Sequence, residues 1–177
     1  MYEDILITYS KIYTYEASFA QENYWNEIDI YKNSDGKVFY NREKLLMKYS
    51  QPDGQILFIA DFTVTMYDPI NNQAIISDKT DIELRPDKLI AKYWDISEKE
   101  IIDQFDNSVK IELHTRNAEK IQITVTNNLI TEFYIVDEND NVVMYQFADV
   151  QVNKELPDKI FDVKLPENIN LIDLREK

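Results

Sequence analysis

Hydrophobic positions recur along this chain at two different periods. Between Tyr2 and Tyr15, residues Ile5, Leu6, Tyr9, Ile12 and Tyr13 fall three and four apart, the stripe of an amphipathic helix that covers something apolar. From Ala17 onward the period drops to two. Lys37–Arg42, Leu45–Ser50, Ile56–Asp61, Thr63–Tyr67 and Gln73–Ser77 each have the length and the aromatic or β-branched content of a strand. Polar breaks at Asn33-Ser34-Asp35-Gly36, Gln51-Pro52-Asp53-Gly54 and Asp68-Pro69-Ile70-Asn71-Asn72 predict hairpin turns, and hence an antiparallel meander.

The helical period returns after Arg85-Pro86-Asp87, where a Pro near N1 precedes Leu89, Ile90 and Tyr93 at helical spacing. Ser97-Glu98-Lys99-Glu100 reads as a capping box, and Ile101, Ile102 and Phe105 behind it predict a third short helix. Alternation resumes in Val109–His114, Lys120–Thr126, Ile130–Asp137 and Val142–Val152, separated by Thr115-Arg116-Asn117, Asn127-Asn128 and Glu138-Asn139-Asp140-Asn141. Asn supplies the positive φ that such turns need where Gly is scarce. A last extended piece, Ile160–Leu165, stops at Pro166 and leads into Ile169–Leu174. No linker or composition shift divides the chain, so residues 1–177 are expected to form one domain. The predicted fold is mainly β with α, a curved antiparallel half-barrel whose helices lie on the concave face as a lid or plug.

Composition narrows the function. An apolar content of 44% is enough for a buried core, and 19 Lys and Arg against 33 Asp and Glu give a net charge of −14. That charge opposes nucleic acid or anionic lipid headgroups as the main partner and leaves basic ligands or proteins open. The absence of Cys excludes disulfides, thiol catalysis and cysteine zinc sites, and two Gly leave no room for a glycine-rich phosphate loop. No apolar run approaches the ~20 residues of a membrane-spanning helix. Met1-Tyr2-Glu3-Asp4 lacks the basic and apolar regions of a secretory signal, so the chain is expected to be either cytosolic or a mature form restarted with Met.

Candidate chemistry is sparse. The lone His114 ends an alternating strand and reads as a solvated histidine, without nearby partners for a metal or a general base. Asp137-Glu138-Asn139-Asp140 has the composition of a calcium loop without its Gly or terminal Glu, and reads as an acidic hairpin. No serine sits in a nucleophile elbow, and one histidine does not support a triad. No catalytic residue, metal or cofactor is expected. Apolar strand positions such as Phe39, Leu57, Ile59, Ile121, Ile123 and Phe161 fit either a filled core or the wall of a ligand-holding barrel.

A resemblance bears on that choice. Lys11–Gln21, reading Lys-Ile-Tyr-Thr-Tyr-Glu-Ala-Ser-Phe-Ala-Gln, is similar to a helix end followed by an "ASFxQ" first strand. Gly36-Lys37-Val38-Phe39-Tyr40 resembles the next strand; Gln51-Pro52, Met66-Tyr67-Asp68-Pro69 and Gln73 resemble a "QP…YDP…Q" ladder; and Phe161-Asp162-Val163-Lys164-Leu165-Pro166 resembles a closing "FxFxxP" strand. In this order and spacing they resemble the periplasmic outer-membrane lipoprotein carriers of the LolA type over nearly the whole chain.

The resemblance implies an unclosed antiparallel half-barrel of about eleven strands, with a lid of three short helices over an apolar cavity. The acyl-chain cavity would be built by Leu45, Met47, Tyr49, Val64, Met66, Phe133 and Ile135, and the lid would include Ile5, Tyr9, Leu89 and Ile90. Family members carry an Arg that bonds to the lid; here Arg42-Glu43 stands near that place, but a gapless count from Gln51-Pro52 puts Asn41 there, and one residue's shift reverses the face. The implied role is a periplasmic carrier, its signal peptide removed, that takes lipoproteins from an inner-membrane ABC exporter to an outer-membrane receptor or acceptor. It would work as a monomer, without cofactor, enzymatic activity or nucleic acid. The alternatives are a lipid-sensing or regulatory binding protein of the same fold, and, with less support, an enzyme acting on lipids or glycans.

Overall fold

The computed structural model describes residues 2–60, 62–78, 91–115 and 120–175. Alternation governs most of them. Twelve strands form: β1 (Thr14–Trp25), β2 (Ile30–Asn41), β3 (Lys44–Gln51), β4 (Ile56–Ala60), β5 (Thr63–Asp68), β6 (Gln73–Asp78), β7 (Glu98–Phe105), β8 (Ser108–His114), β9 (Lys120–Thr126), β10 (Leu129–Val136), β11 (Val142–Val152) and β12 (Asn170–Asp173). Their hydrogen-bonded order is β12-β6-β5-β4-β3-β2-β1-β11-β10-β9-β8-β7, an open sheet whose end strands do not pair with each other. The hairpins are antiparallel, whereas β12 lies parallel to β6. The helical part is small: α1 (Tyr2–Ser10), helical residues 91–94, and 3-10 turns at Asn26–Ile28 and Asp158–Phe161.

Contacts gather into two compact units, through both of which β1, β2 and β11 run. The first comprises Met1–Lys11, Ala20–Asn33 and Glu83–Ala148; the second comprises Ile12–Phe19, Ser34–Ile82 and Asp149–Lys177.

In the first unit, β8, β9 and β10 bring Ile111, Ile123 and Phe133 into one cross-strand row and Leu113, Ile121 and Ile135 into the next. Rows form because the side-chain period is two and short hairpins preserve the face from strand to strand. Amphipathic α1 has Glu3 and Asp4 in its first turn, where the helix dipole favours them. It buries Ile5 and Tyr9, and the Tyr9 hydroxyl accepts the Ile130 N–H at 3.1 Å, beside a bulge in β10. Tyr2 stacks on Trp94 with ring centroids 4.4 Å apart.

In the second unit, residues of opposite parity on β2–β4 build a separate core. Phe39, Leu46 and Phe58 align across the strands, and Phe161 of the second 3-10 turn covers them together with Leu156, Ile160 and Val163.

Four expectations need correction. The segment Glu98–Phe105 is a strand, not a third helix: the Ser97 hydroxyl that would close the capping box has no hydrogen-bond partner, and the β8 ladder takes up the backbone of β7. A two-residue turn with Asp106 at φ +47 joins the two strands. The polar run Asn33–Gly36 is not a turn either, because β2 passes straight through it. The chain reverses earlier, at Asn26–Ile28, with Asp29 left-handed at φ +49. The piece Ile160–Leu165 begins inside a 3-10 turn, and the closing strand comes later, at Asn170–Asp173. The strand number is twelve rather than about eleven, and one nine-residue α-helix plus residues 91–94 replace the expected three-helix lid among the described residues. Leu89 and Ile90 lie outside the described residues. The other predicted turns hold where they are described: Gly54 has φ +79, Asn72 +45, Asn127 +52 and Asn128 +61.

Candidate functional site

The second unit carries a continuous apolar wall. On β3 the alternate residues Leu45, Met47 and Tyr49 share one face. The ladder aligns Tyr40, Leu45, Ile59, Val64 and Ser77 in one row and Val38, Met47, Leu57, Met66 and Ile75 in the next. Neither row contains a charged residue. Leu45, Met47, Leu57, Ile59 and Val64 are buried, whereas Met66 is 46% exposed and forms the rim. Phe19 meets Tyr49 edge to face at 5.1 Å, which puts β1 on the same surface; by alternation Tyr15 and Ala17 lie there too, all three buried.

Two phenols are embedded in this surface. Burial raises the Tyr49 pKa, and a hydrogen bond with the Gln55 side chain partly opposes that. Burial also drives the Tyr15 pKa far above the ordinary phenol range, and the Tyr15 hydroxyl has no hydrogen-bond partner. Both are neutral side chains at physiological pH.

The structure thus brings five of the seven proposed cavity residues, Leu45, Met47, Tyr49, Val64 and Met66, to one face of one unit. Phe133 and Ile135 belong to the other unit, on β10, the strand against which α1 packs. Asn41 and Arg42 have different partners. Asn41 Oδ1 accepts the N–H groups of Glu43 and Lys44 at 3.1 and 2.7 Å and so builds the β2–β3 turn. The Arg42 guanidinium instead lies 3.9 Å from the centre of the Tyr13 ring, a cation–π contact just beyond the end of α1. Sequence reasoning missed Tyr15 and Phe19 as parts of this surface. Their signal was available, since alternation begins at Thr14 rather than at Ala17.

The polar candidates have other partners. Asp137 accepts from the Asn139 and Asn141 N–H groups at 2.8 and 2.9 Å and from Asn141 Nδ2 at 2.9 Å, which lowers its pKa and shapes the β10–β11 turn. His114 is half-exposed, with Nε2 3.1 Å from Glu112 Oε1. Burial alone would raise the Glu112 pKa, but the hydrogen bond from Gln122 at 2.6 Å and the Lys120 ammonium at 3.0 Å outweigh it and bring it below the usual glutamate range. A depressed carboxyl pKa stabilises the fold above its unfolded value, and that stabilisation fades as pH falls through the folded value. Glu112→Gln is therefore expected to melt below the wild type at neutral pH, with the gap closing once pH drops under the ordinary glutamate range. Thermal melts of both proteins across that range check it; a gap independent of pH refutes it.

A sequence profile described as "Outer membrane lipoprotein carrier protein LolA" matches residues 10–164. No curated protein sequence matches the chain. Among solved structures, an uncharacterized conserved protein of Thermus thermophilus superimposes with TM-score 0.62 at 13% identity, covering 97% of this chain and 98% of that one. MucB, solved in complex with MucA(peri), superimposes with TM-score 0.56 at 9% identity, over 97% of this chain and 60% of its own. A LolA superfamily protein of Nitrosomonas europaea covers 91% of this chain and 97% of its own at 13% identity and TM-score 0.49.

Proposed function

The chain belongs to the LolA family of outer membrane lipoprotein carrier proteins, and from that premise we propose that it is a non-enzymatic carrier that shields lipoprotein acyl chains on the apolar wall of its second unit. The observation that carries this reading is the pair of uncharged cross-strand rows centred on Leu45 and Met47, with the half-exposed Met66 at the rim. Each acyl methylene withdrawn from water contributes about 0.8 kcal/mol, so a free chain does not leave a membrane unaided, and a protein surface must replace the bilayer during transfer. A wall of Leu, Ile, Val and Met attracts without direction, which suits handing the cargo on.

In this reading Leu45, Met47, Tyr49, Val64, Met66, Phe133 and Ile135 contact acyl chains within a single carrier domain spanning residues 1–177. The segments holding Ile5, Tyr9, Leu89 and Ile90 act as a lid, and Arg42 steadies the chain after α1 by its contact with Tyr13. The route runs through the periplasm, from an inner-membrane ABC exporter to an outer-membrane receptor or acceptor, with the carrier as a monomer. The net charge of −14 would steer it toward basic docking surfaces. No described helix is long and apolar enough to cross a membrane.

Delipidated protein added to spheroplast membranes should solubilise a triacylated lipoprotein, and native mass spectrometry of the complex should show one carrier per cargo. Met66→Glu places a carboxylate on the rim without disturbing a filled core. It is expected to weaken binding of a fluorescent fatty acid about tenfold, or about 1.4 kcal/mol, at an unchanged melting temperature. Protein that neither extracts lipoprotein nor binds the fatty acid, beside a working carrier, would leave the regulatory binding protein of the same fold as the better reading.

A further inference from the structure

The two central rows of the wall described above carry no charge and, apart from Tyr40 and Ser77 at the ends of one of them, no polar side chain; they offer an acyl chain attraction but no fixed depth. Tyr15 adds a buried phenol to the same surface. It is 6% exposed, lies in alternation with Ala17 and Phe19, and shares their face with Tyr49. Its hydroxyl has no hydrogen-bond partner, although Tyr49 reaches Gln55 and Tyr9 takes the Ile130 N–H. Neighbours on the strand do not relieve it: the Thr14 hydroxyl donates to Lys154 O, and Glu16 pairs with Lys37 on the opposite face.

A buried donor without an acceptor destabilises a protein, whereas the same ring without its oxygen would fill the same space at no such penalty. An oxygen retained in that position points to a state in which it is bonded. We propose that Tyr15 is the polar anchor of the wall, donating its O–H to the carbonyl oxygen of the ester or amide that ends an acyl chain. This rests on the carrier reading and adds to it the chemistry of the recognised group. The carbonyl is the first polar atom met at the end of the methylene run, so one donor beside an apolar wall fixes how far the chain enters. A hydroxyl that stays protonated throughout the physiological range, as burial ensures here, donates under all working conditions.

The experiment compares 1,2-dipalmitoylglycerol with 1,2-dihexadecylglycerol, the ether analogue with two hydrocarbon chains of the same carbon number but no carbonyl. Wild-type protein is expected to bind the ester about five- to tenfold more tightly, the usual worth of one net hydrogen bond. Tyr15→Phe should bind both lipids with the wild type's affinity for the ether, and should melt at or above the wild-type temperature because the unmet donor is gone. In the wild-type complex, the infrared carbonyl band of isotope-labelled ester lipid should shift to lower frequency relative to the Tyr15→Phe complex. The inference is overturned if the wild type does not discriminate, if Tyr15→Phe keeps the ester preference, or if it loses affinity for both lipids equally, which is the mark of a packing role. Should the wild type bind neither lipid, the carrier reading itself falls and the anchor falls with it.

Discussion

Gly36→Ala is expected to lower stability by on the order of 3–5 kcal/mol, the upper range for a single substitution. A β-carbon at this position would stand 2.1 Å from the Lys48 carbonyl oxygen, 2.8 Å from Tyr49 Cα and 2.9 Å from the Lys48 carbonyl carbon. All three are backbone atoms of β3, and no rotamer change moves them aside. The strands must separate where the register already shifts, between Asp35 and Gly36, and the row-forming residues Val38 and Met47 lose their alignment. A drop of 3–5 kcal/mol corresponds to roughly 6–20 °C in melting temperature for a chain of this size. Gly54→Ala is the control. A β-carbon on Gly54 would meet only Pro69 side-chain atoms at 3.8 Å, an ordinary van der Waals distance, but the backbone has a φ of +79. The substitution should therefore cost only the left-handed backbone penalty, about 1–2 kcal/mol. Thermal melts of the two variants decide the matter: comparable losses would show that β2 and β3 part without difficulty.

The second large effect belongs to Phe133. It is 2% exposed and stands in the row Ile111–Ile123–Phe133–Tyr145, on the strand against which α1 packs. Phe133→Ala removes a full ring from a buried position and is expected to cost about 3–5 kcal/mol in urea denaturation. The loss should not be uniform. Ile5 is fully buried, and the bond from Ile130 N–H to the Tyr9 hydroxyl gives α1 a directional attachment to β10. Hydrogen exchange should show the α1 amides losing protection first and those of β3 and β4, which lie in the other unit, changing least. Equal loss in both units would mean that they unfold as one.

These features were not equally visible in the sequence. The wall was legible because Leu45, Met47 and Tyr49 alternate on β3 and the turns at Pro52–Gly54 and Pro69–Asn72 return the chain without changing face. The strand β7 was not legible: Ile101, Ile102 and Phe105 satisfy helical spacing, and the outcome is decided by backbone pairing with β8. The local signal against a helix was the Asp106-Asn107 pair, which suits a two-residue hairpin turn. Gly36 reads equally as a turn residue or as a point of close approach, and only the position of Lys48 O separates the two. Counting residues did not show that the Asn41 side chain closes its own turn, because that bond depends on the local backbone path. The place of Tyr15 in the alternation was legible, but the unpartnered state of its hydroxyl was not, since a missing partner is a property of the folded surroundings.

The strand β7 also bears on how the protein must be handled. It is the last strand of the sheet, all eight of its residues are exposed, and its apolar side chains Ile101, Ile102 and Phe105 stand on an edge open to another chain. Glu98, Glu100 and Asp103 on the same strand share the sign of the net charge of −14, so two copies meeting at this edge repel each other. High ionic strength screens that repulsion over a Debye length, so edge-to-edge association is favoured in high-salt buffers. Low-salt buffers leave the field of the chain unscreened and keep two copies apart.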